Sequence, residues 1–472
     1  MNVPATPARG PLSNFIAIGT SEIFARAAGF AATALLARRL GVDAFGILGL
    51  ATATVGYLGV ALLAGFGVIS AREVARNPDG AKGIIADATI VRIILALCAV
   101  GAVAAFAFGF VDSPVRRLVL LLTSLSLIPF ALDTSWAYRG LGRNHIIGIG
   151  LLAAQFLYLA GSFVLVRSSG DLQRVPVIQF VSELVAAGIL LSMLFARNIP
   201  RPSIARGMEL LNQSGYTTLG RLLRAAIVTF DVILLGMIAS DRDVGLYSAA
   251  YRVCFLVVTI AVATHAVFMP AIIRAAFAGA AAVGPVVSRS LALTSAVVLP
   301  IAAGGIVLAA PLLAFLFGSE YAGGARAFQI LLGSIALLAI HGAGHNVFVA
   351  LQRNGMEAAI FAAGAALNIA LNLVFIPRYG LVGAAAATLA AEALILVSSA
   401  IFLRSCGVRP RAASMVRPLV SAIVMGGLLY PMAGRFHVIL LVVAGGLIYA
   451  GLLALMDGFP KEFREPVATI HT

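Results

Sequence analysis

The chain has 472 residues, of which 61% are hydrophobic and only 11% charged, and its mean hydropathy is +1.03. That composition excludes a soluble globular fold of this length and indicates an integral membrane protein. The formal charge of +14 arises from arginines and lysines scattered through short connectors, a distribution that excludes a nucleic-acid partner.

Apolar runs of about 20 residues, enough to cross a hydrocarbon core of roughly 30 Å as helix, recur along the chain and predict an all-α fold of about fourteen transmembrane helices. The head, Met1 to Pro11, is polar and lacks the layout of a signal peptide, so no cleaved leader is expected. An N-terminal lobe, 1–200, holds the first six spans, expected at 12–36, 44–68, 83–110, 118–138, 146–166 and 175–196. In the first span Glu22 and Arg26 stand four apart, the favourable order for a local ion pair. The third span carries Asp87 and Arg92. Trp136 and Tyr138, in SWAYRG, fall near the end of the fourth span, where aromatic anchoring at the membrane interface is expected.

A linker, 201–215, contains ARGMELLNQSG and is expected to lie as a short amphipathic helix on the cytoplasmic face. Spans seven to twelve form a C-terminal lobe, 216–404, expected at 216–238, 246–272, 288–316, 327–351, 357–377 and 381–403. Two more, at 416–433 and 437–456, fall with a cytoplasmic tail in 405–472. Pro129, Pro270, Pro300 and Pro311 sit within or at the ends of spans, where a lost backbone bond bends a helix. With the N-terminus inside, the cytoplasmic connectors hold more of the 33 Lys and Arg than the opposite side, although Arg38, Arg39, Arg116 and Arg117 fall outside. An even count of spans places both termini in the cytoplasm.

Gly220 to Arg252 is apolar enough to cross a bilayer twice, yet it holds Arg221, Arg224, Asp231 and Arg252. A charge at bilayer centre costs roughly 2.5–3.5 kcal/mol on translocation scales, so such residues face partners or a water-filled cavity. A cationic cavity suggests an anionic cargo. The two halves also echo each other: FARAAGF around Arg26 leads to GVDAFGILGLA, and LLRAAIV around Arg224 leads to DRDVGLYSAAY. Six spans precede the seventh, so a repeat of this kind would be parallel, and two bundles could rock about a central site.

The stretches LDTSWAYRGLGRNH at 132–145, DVILLGMIASDRDVGLYSAAYRV at 231–253 and LNLVFIPRYGLVGAAAATLAAE at 371–392 resemble those of the polysaccharide flippases. These belong to the multidrug, oligosaccharidyl-lipid and polysaccharide exporter superfamily. The resemblance implies two six-helix lobes forming a V around a central cationic cavity, with two C-terminal helices packed outside. It implies translocation of a polyprenyl-diphosphate-linked oligosaccharide across the bacterial inner membrane for O-antigen, capsule or exopolysaccharide synthesis. Membrane lipids, a polysaccharide polymerase and export machinery are the implied partners.

The alternatives are a multidrug exporter and a lipid II flippase of the same superfamily. A pump for cationic drugs favours buried carboxylates over arginines. SEIFARAAGF at 21–30 partly echoes a basic pattern of the lipid II flippases, but few cavity arginines follow in the second span. Enzymatic chemistry is not expected, because the outer connectors are short and no Walker-type glycine loop is present.

Arginine suits a diphosphate because its fixed fork of donors holds two phosphate oxygens and it stays charged. Arg26, Arg221, Arg224 and Arg252 are therefore the candidate substrate-binding residues. Glu22, Asp87 and Asp231 are candidates for ion coupling, by H+ or Na+, or for charge pairing. Glu183 and Glu392 lie alone in their spans. His341 and His345, one turn apart, lack further metal ligands in sequence, so hydrogen bonding across helices or to sugar hydroxyls is expected, and no metal or other cofactor. Cys98, Cys254 and Cys406 have no metal-ligand spacing and are read as packing residues.

Overall fold

A computed structural model describes residues 11–195 and 200–459, and among these residues all regular structure is helical. The chain divides into two compact units, Met1–Ala225 and Ala226–Thr472. The first contains α1 (Pro11–Gly59), α2 (Gly65–Arg76), α3 (Ala81–Phe110), α4 (Pro114–Ser124), α5 (Leu127–Leu132), α6 (Ser135–Gly140), α7 (Asn144–Leu165), α8 (Arg174–Phe195) and α9 (Ile204–Gln213). Helix α10 (Gly215–Ile238) carries the chain from one unit into the other. The second continues with α11 (Asp241–Phe277), α12 (Ala280–Val307), α13 (Ala309–Phe317), α14 (Ala325–Ala350), α15 (Asn354–Ser405), α16 (Val416–Leu429) and α17 (Val438–Leu455).

Among the described residues, 11 helical segments are long and apolar enough to cross a bilayer, against the fourteen spans expected. Two of the differences have one cause. Helices α1 and α15 each run through what the sequence divides into two spans, and each is broken at a glycine, Gly41 (φ 78°) and Gly380 (φ 54°). Positive φ is open to glycine without a Cβ clash, so two helices meet there with no loop between them. The third lies in α10, whose 24 residues are enough to cross a bilayer and whose described apolar stretch is Thr229–Ile238.

The expected fourth span is three short helices, α4 to α6. Hydroxyls break it: Ser124 Oγ donates to the Leu121 carbonyl at 2.7 Å and Ser126 Oγ to that of Thr123 at 2.8 Å. Such bonds compete with the helical ladder. Pro129 removes a further donor, and Asp133 restarts the chain by accepting the Ser135 N–H at 3.1 Å.

Trp136 and Tyr138 are buried with Phe66, Val74 and Ile146 in a core cluster. The Tyr138 hydroxyl donates to the Leu190 carbonyl at 2.7 Å, so these aromatics are core residues and not the interfacial anchors expected from their position in sequence. Two of the arginines that broke the positive-inside bias also find a structural role. Arg39 Nη1 donates to the carbonyls of Phe163 and Val166, at 2.6 and 2.5 Å, at the end of α7. Arg117 Nη2 donates to the Val111 carbonyl at 2.8 Å, just past α3. Both cap helix C-termini, whose carbonyls lack intrahelical partners.

The linker forms α9, capped by Ser203. Gly207 of α9 lies so close to α3 that a Cβ there would stand 2.3 Å from the Asp87 carbonyl oxygen. In the second unit, α16 and α17 pack against α12 through Met425, Leu429, Leu441 and a hydrogen bond of 2.9 Å from the Tyr449 hydroxyl to the Ala296 carbonyl. Large apolar side chains such as Phe108, Phe110, Leu440 and Leu455 remain exposed along the span helices, as a lipid-facing surface requires.

Candidate functional site

The four candidate arginines are borne on apolar helices. Arg26 Nη2 donates to Glu22 Oε1 at 2.6 Å, the local pair that the spacing predicts, and both side chains are partly exposed. Arg221 on α10 and Arg252 on α11 are exposed. Arg224 lies on α10, and its side chain is outside the described residues. Asp231, on the same helix, is completely buried. A cavity of about 570 Å³ in the first unit, lined in part by Thr89, Ile93, Leu191 and Phe195, gathers none of the four arginines.

Asp231 is the centre of a polar cluster inside the second unit. The Tyr247 hydroxyl donates to its Oδ2 at 2.8 Å, Asn372 Nδ2 donates to its Oδ1 at 2.6 Å, and the Thr388 hydroxyl also donates to Oδ2. Asn372 Nδ2 lies 3.1 Å from Asn368 Oδ1, while Asn368 Nδ2 and Asn372 Oδ1 are buried without partners. Among the described residues the hydrogen-bond partners of this carboxylate are neutral groups, not arginine. The arrangement can hold a carboxylate by neutral donors alone, or let it take a proton or a small cation among oxygen ligands.

Two of the stretches that carried the family resemblance meet here: Asp231 and Tyr247 come from 231–253, Asn372 and Thr388 from 371–392. Sequence reading missed the asparagines, although Asn368 and Asn372 stand one helical turn apart in an apolar span. That spacing puts two amides on one face, where each needs a partner.

Further along the same unit, His341 Nε2 lies 2.5 Å from Glu392 Oε2, with both side chains only 6% exposed. His345 Nδ1 is hydrogen-bonded to Glu357. The expected cross-helix role of the two histidines is thus met by carboxylates. Among the described residues no group of three metal-ligating side chains is present.

In the first unit Asp87 and Arg92 are tied to main chain. Asp87 accepts the Ser203 N–H at 2.6 Å, fixing the start of α9 on α3. Arg92 Nη2 donates to the Phe130 carbonyl at 2.7 Å, and its guanidinium lies 5.9 Å from the Trp136 ring. The two do not pair with each other. Glu183 accepts from Gln179 Nε2 at 2.9 Å on its own helix.

Residues 12–276, more than half of the chain, match the family of polysaccharide biosynthesis proteins. This chain belongs to the polysaccharide biosynthesis protein family. The part of this polysaccharide biosynthesis protein that matches takes in the whole set of candidate arginines and Asp231, and ends before the histidine–glutamate pairs. The probable low-salt glycan biosynthesis flippase Agl15 of Haloferax volcanii is 25% identical to it over 275 residues, a match spanning 58% of this chain and 58% of that relative's length.

Solved structures share the fold. The lipid II flippase MurJ in an inward closed conformation matches with a TM-score of 0.80 at 14% identity, over 93% of this chain and 98% of that one. An inward-facing multidrug resistance MATE family transporter of the MOP superfamily matches with a TM-score of 0.66 at 16% identity, over 81% of this chain and 95% of that one. This polysaccharide biosynthesis protein is therefore a multi-pass membrane protein with a transporter fold.

Proposed function

We propose that this chain flips a polyprenyl-diphosphate-linked oligosaccharide across the bacterial inner membrane by alternating access, supplying a surface polysaccharide pathway. Both termini then lie in the cytoplasm, and a polymerase and export machinery take the product. The observation that carries this reading is the exposure of arginine within span helices. Arg252 stands 11 residues beyond Asp241 (252 − 241), the first residue of α11, which puts it about 16 Å along the helix at 1.5 Å per residue. A guanidinium turned to lipid there costs roughly 2.5–3.5 kcal/mol, so its exposure is favourable only where the helix face meets water. A wet, cationic path suits a diphosphate head, which accepts two parallel hydrogen bonds from an arginine fork.

The same reading couples transport to a cation gradient, H+ or Na+. Asp231 is the candidate best supported, because a buried carboxylate among neutral donors changes net charge when a cation binds. Glu22 keeps a second possibility, since neutralising it would release Arg26 for phosphate. Asp87, bound to the main chain of Ser203, supports a structural role instead.

The test uses the full chain in vesicles with a fluorescent polyprenyl-diphosphate oligosaccharide, read by the fraction shielded from an external quencher. Wild type is expected to equilibrate the probe between leaflets. Arg252→Ala is expected to slow this about ten- to a hundredfold, the loss of one charge-assisted hydrogen bond of about 1.5–3 kcal/mol, with folded yield unchanged. A wild-type protein that leaves the probe on one leaflet, while a cationic drug or a lipid II analogue crosses, sinks the proposal.

A further inference from the structure

The second unit contains a set of ionisable side chains that the flippase reading leaves unused. His341 and His345 lie one turn apart near the C-terminal end of α14, and each faces a carboxylate from α15: Glu392 for His341, Glu357 for His345. The two pairs differ in access. His345 is 44% exposed at the side chain, whereas His341 and Glu392 are each 6% exposed. Phe361 lies edge-on to the His341 ring at 6.2 Å, closing it off further.

The surroundings single out this pair. From α11, His265 and Tyr251 come within electrostatic range, the first of His341 and His345, the second of Glu392. Asp231 of α10 acts on the same Tyr251. From α12 come the hydroxyls of Ser290 and Thr294. His265 itself is committed: its Nε2 donates to the Ala339 carbonyl at 2.8 Å, which leaves Nδ1 to accept from Ser290 Oγ at 3.1 Å. That ring is satisfied as a neutral imidazole. His341 instead faces a carboxylate, where an added or lost proton changes the net charge.

One titratable proton shared by His341 and Glu392 makes the pair neutral, whether it sits as imidazolium beside carboxylate or as imidazole beside carboxylic acid. Release of that proton to water leaves one net negative charge in a nearly dry site, and uptake of a second leaves one net positive charge. Neither charged form suits a site at this depth, because an unpaired buried charge is strongly disfavoured. The close packing of α14 on α15 is therefore compatible with the singly loaded pair, and parting of the helices would hydrate it and let the proton leave.

We propose that His341 and Glu392 form a proton-binding site, loaded from water through His345 and Glu357, whose occupancy decides whether α14 and α15 stay packed. Proton binding is a property of this chain alone. Its use to drive flipping rests on the function proposed above.

The full chain in detergent micelles is titrated across the pH range in which it stays folded, and followed by infrared bands of carboxyl and imidazole. Wild type is expected to show a one-proton step that shifts in His341→Gln and in Glu392→Gln, each of which keeps one ionisable group, and disappears in H341Q/E392Q. The double variant H341Q/E392Q retains a neutral amide–amide hydrogen bond, so it reports on the step even where a single variant aggregates. A step that persists unchanged in these variants, or is absent from wild type, overturns the site. His345→Gln is expected to keep the step and slow proton exchange at least several-fold; unchanged exchange overturns the loading route.

Vesicles with an imposed pH gradient and the fluorescent polyprenyl-diphosphate probe separate the two proposals. Gradient-driven acceleration in wild type that is lost in Glu392→Gln supports both. A proton step that maps to the pair in a protein that moves no probe overturns the flippase reading and leaves the site standing. Probe movement with no step at the pair overturns the site alone.

Discussion

Asp87 and Arg92 in the first unit, and Asp231 and Glu392 in the second, are all charged groups at 5% exposure or less within span helices. They are held in different ways. Asp87 accepts from the Ser203 main chain and Arg92 donates to the Phe130 main chain. Asp231 is held by the side chains of Tyr247, Asn372 and Thr388, and Glu392 by His341. A main-chain partner has no protonation state to change, so those contacts fix helix against helix. A side-chain partner can rotate, lose a proton or exchange its bond for another, which is what a switching element needs. The first unit's buried charges are architecture, and the second unit's are capable of change.

The strongest way to break this contrast is at Asp231. Asp231→Leu strands the Tyr247 hydroxyl and one N–H of Asn372, while the Thr388 hydroxyl keeps the Ala384 carbonyl at 3.2 Å, and each buried unsatisfied group costs about 1–3 kcal/mol. The expected result is a loss of about 2 kcal/mol or more, read as a large fall in the thermal midpoint of the detergent-solubilised protein. Asp231→Asn is expected to recover most of it, because the hydroxyls of Tyr247 and Thr388 can turn to accept from an amide. Equal stability of the Leu variant and wild type would show that the cluster is not held by these bonds.

Gly207 sharpens the other side. A Cβ at this position stands 2.3 Å from the Asp87 carbonyl oxygen and 2.5 Å from Val91 Cγ2. Gly207→Ala is expected to lift α9 from α3 at a cost of about 1–3 kcal/mol, as overpacking does. Faster amide exchange confined to α9 and the turn at Ser203 is the readout. Exchange unchanged there would mean that α9 is not fixed through its contact with Asp87.

The smallest effect is expected at Asp171, outside the spans. The Arg167 N–H, then that of Ser168, hold its carboxyl below the ordinary carboxylate range, with Arg174 and Arg167 adding their charge. A folded value below the unfolded one contributes stability above the ordinary carboxylate range, and that contribution is lost as pH falls through the depressed value. Asp171→Asn is expected to flatten the acid end of the stability profile slightly. An unaltered profile would assign acid sensitivity to other carboxylates.

Much of the fold was legible in sequence. Apolar runs about as long as a bilayer is thick gave span after span, because every backbone polar group in lipid must be bonded within its own helix. Glu22 and Arg26 were legible because a pair four residues apart meets on any helix. The broken helix α4 to α6 was not legible: apolarity continues through it, and only hydroxyl bonds and Pro129 interrupt the ladder. Trp136 and Tyr138 were misplaced because position in a span suggests depth, while burial depends on which neighbour covers the face.

The sequence by itself determined a helical membrane protein, its local ion pair, its arginine-bearing spans and its family. Only the tertiary structure decided which polar groups meet: Asp231 with Asn372 and Thr388, 141 and 157 positions away, and His341 with Glu392, 51 positions away. The reason is physical. A helix that is apolar on nearly every side has no amphipathic pattern to tell its inner face from its lipid face. Low dielectric demands that each buried polar group find a partner, and the rotation and packing of whole helices select which one.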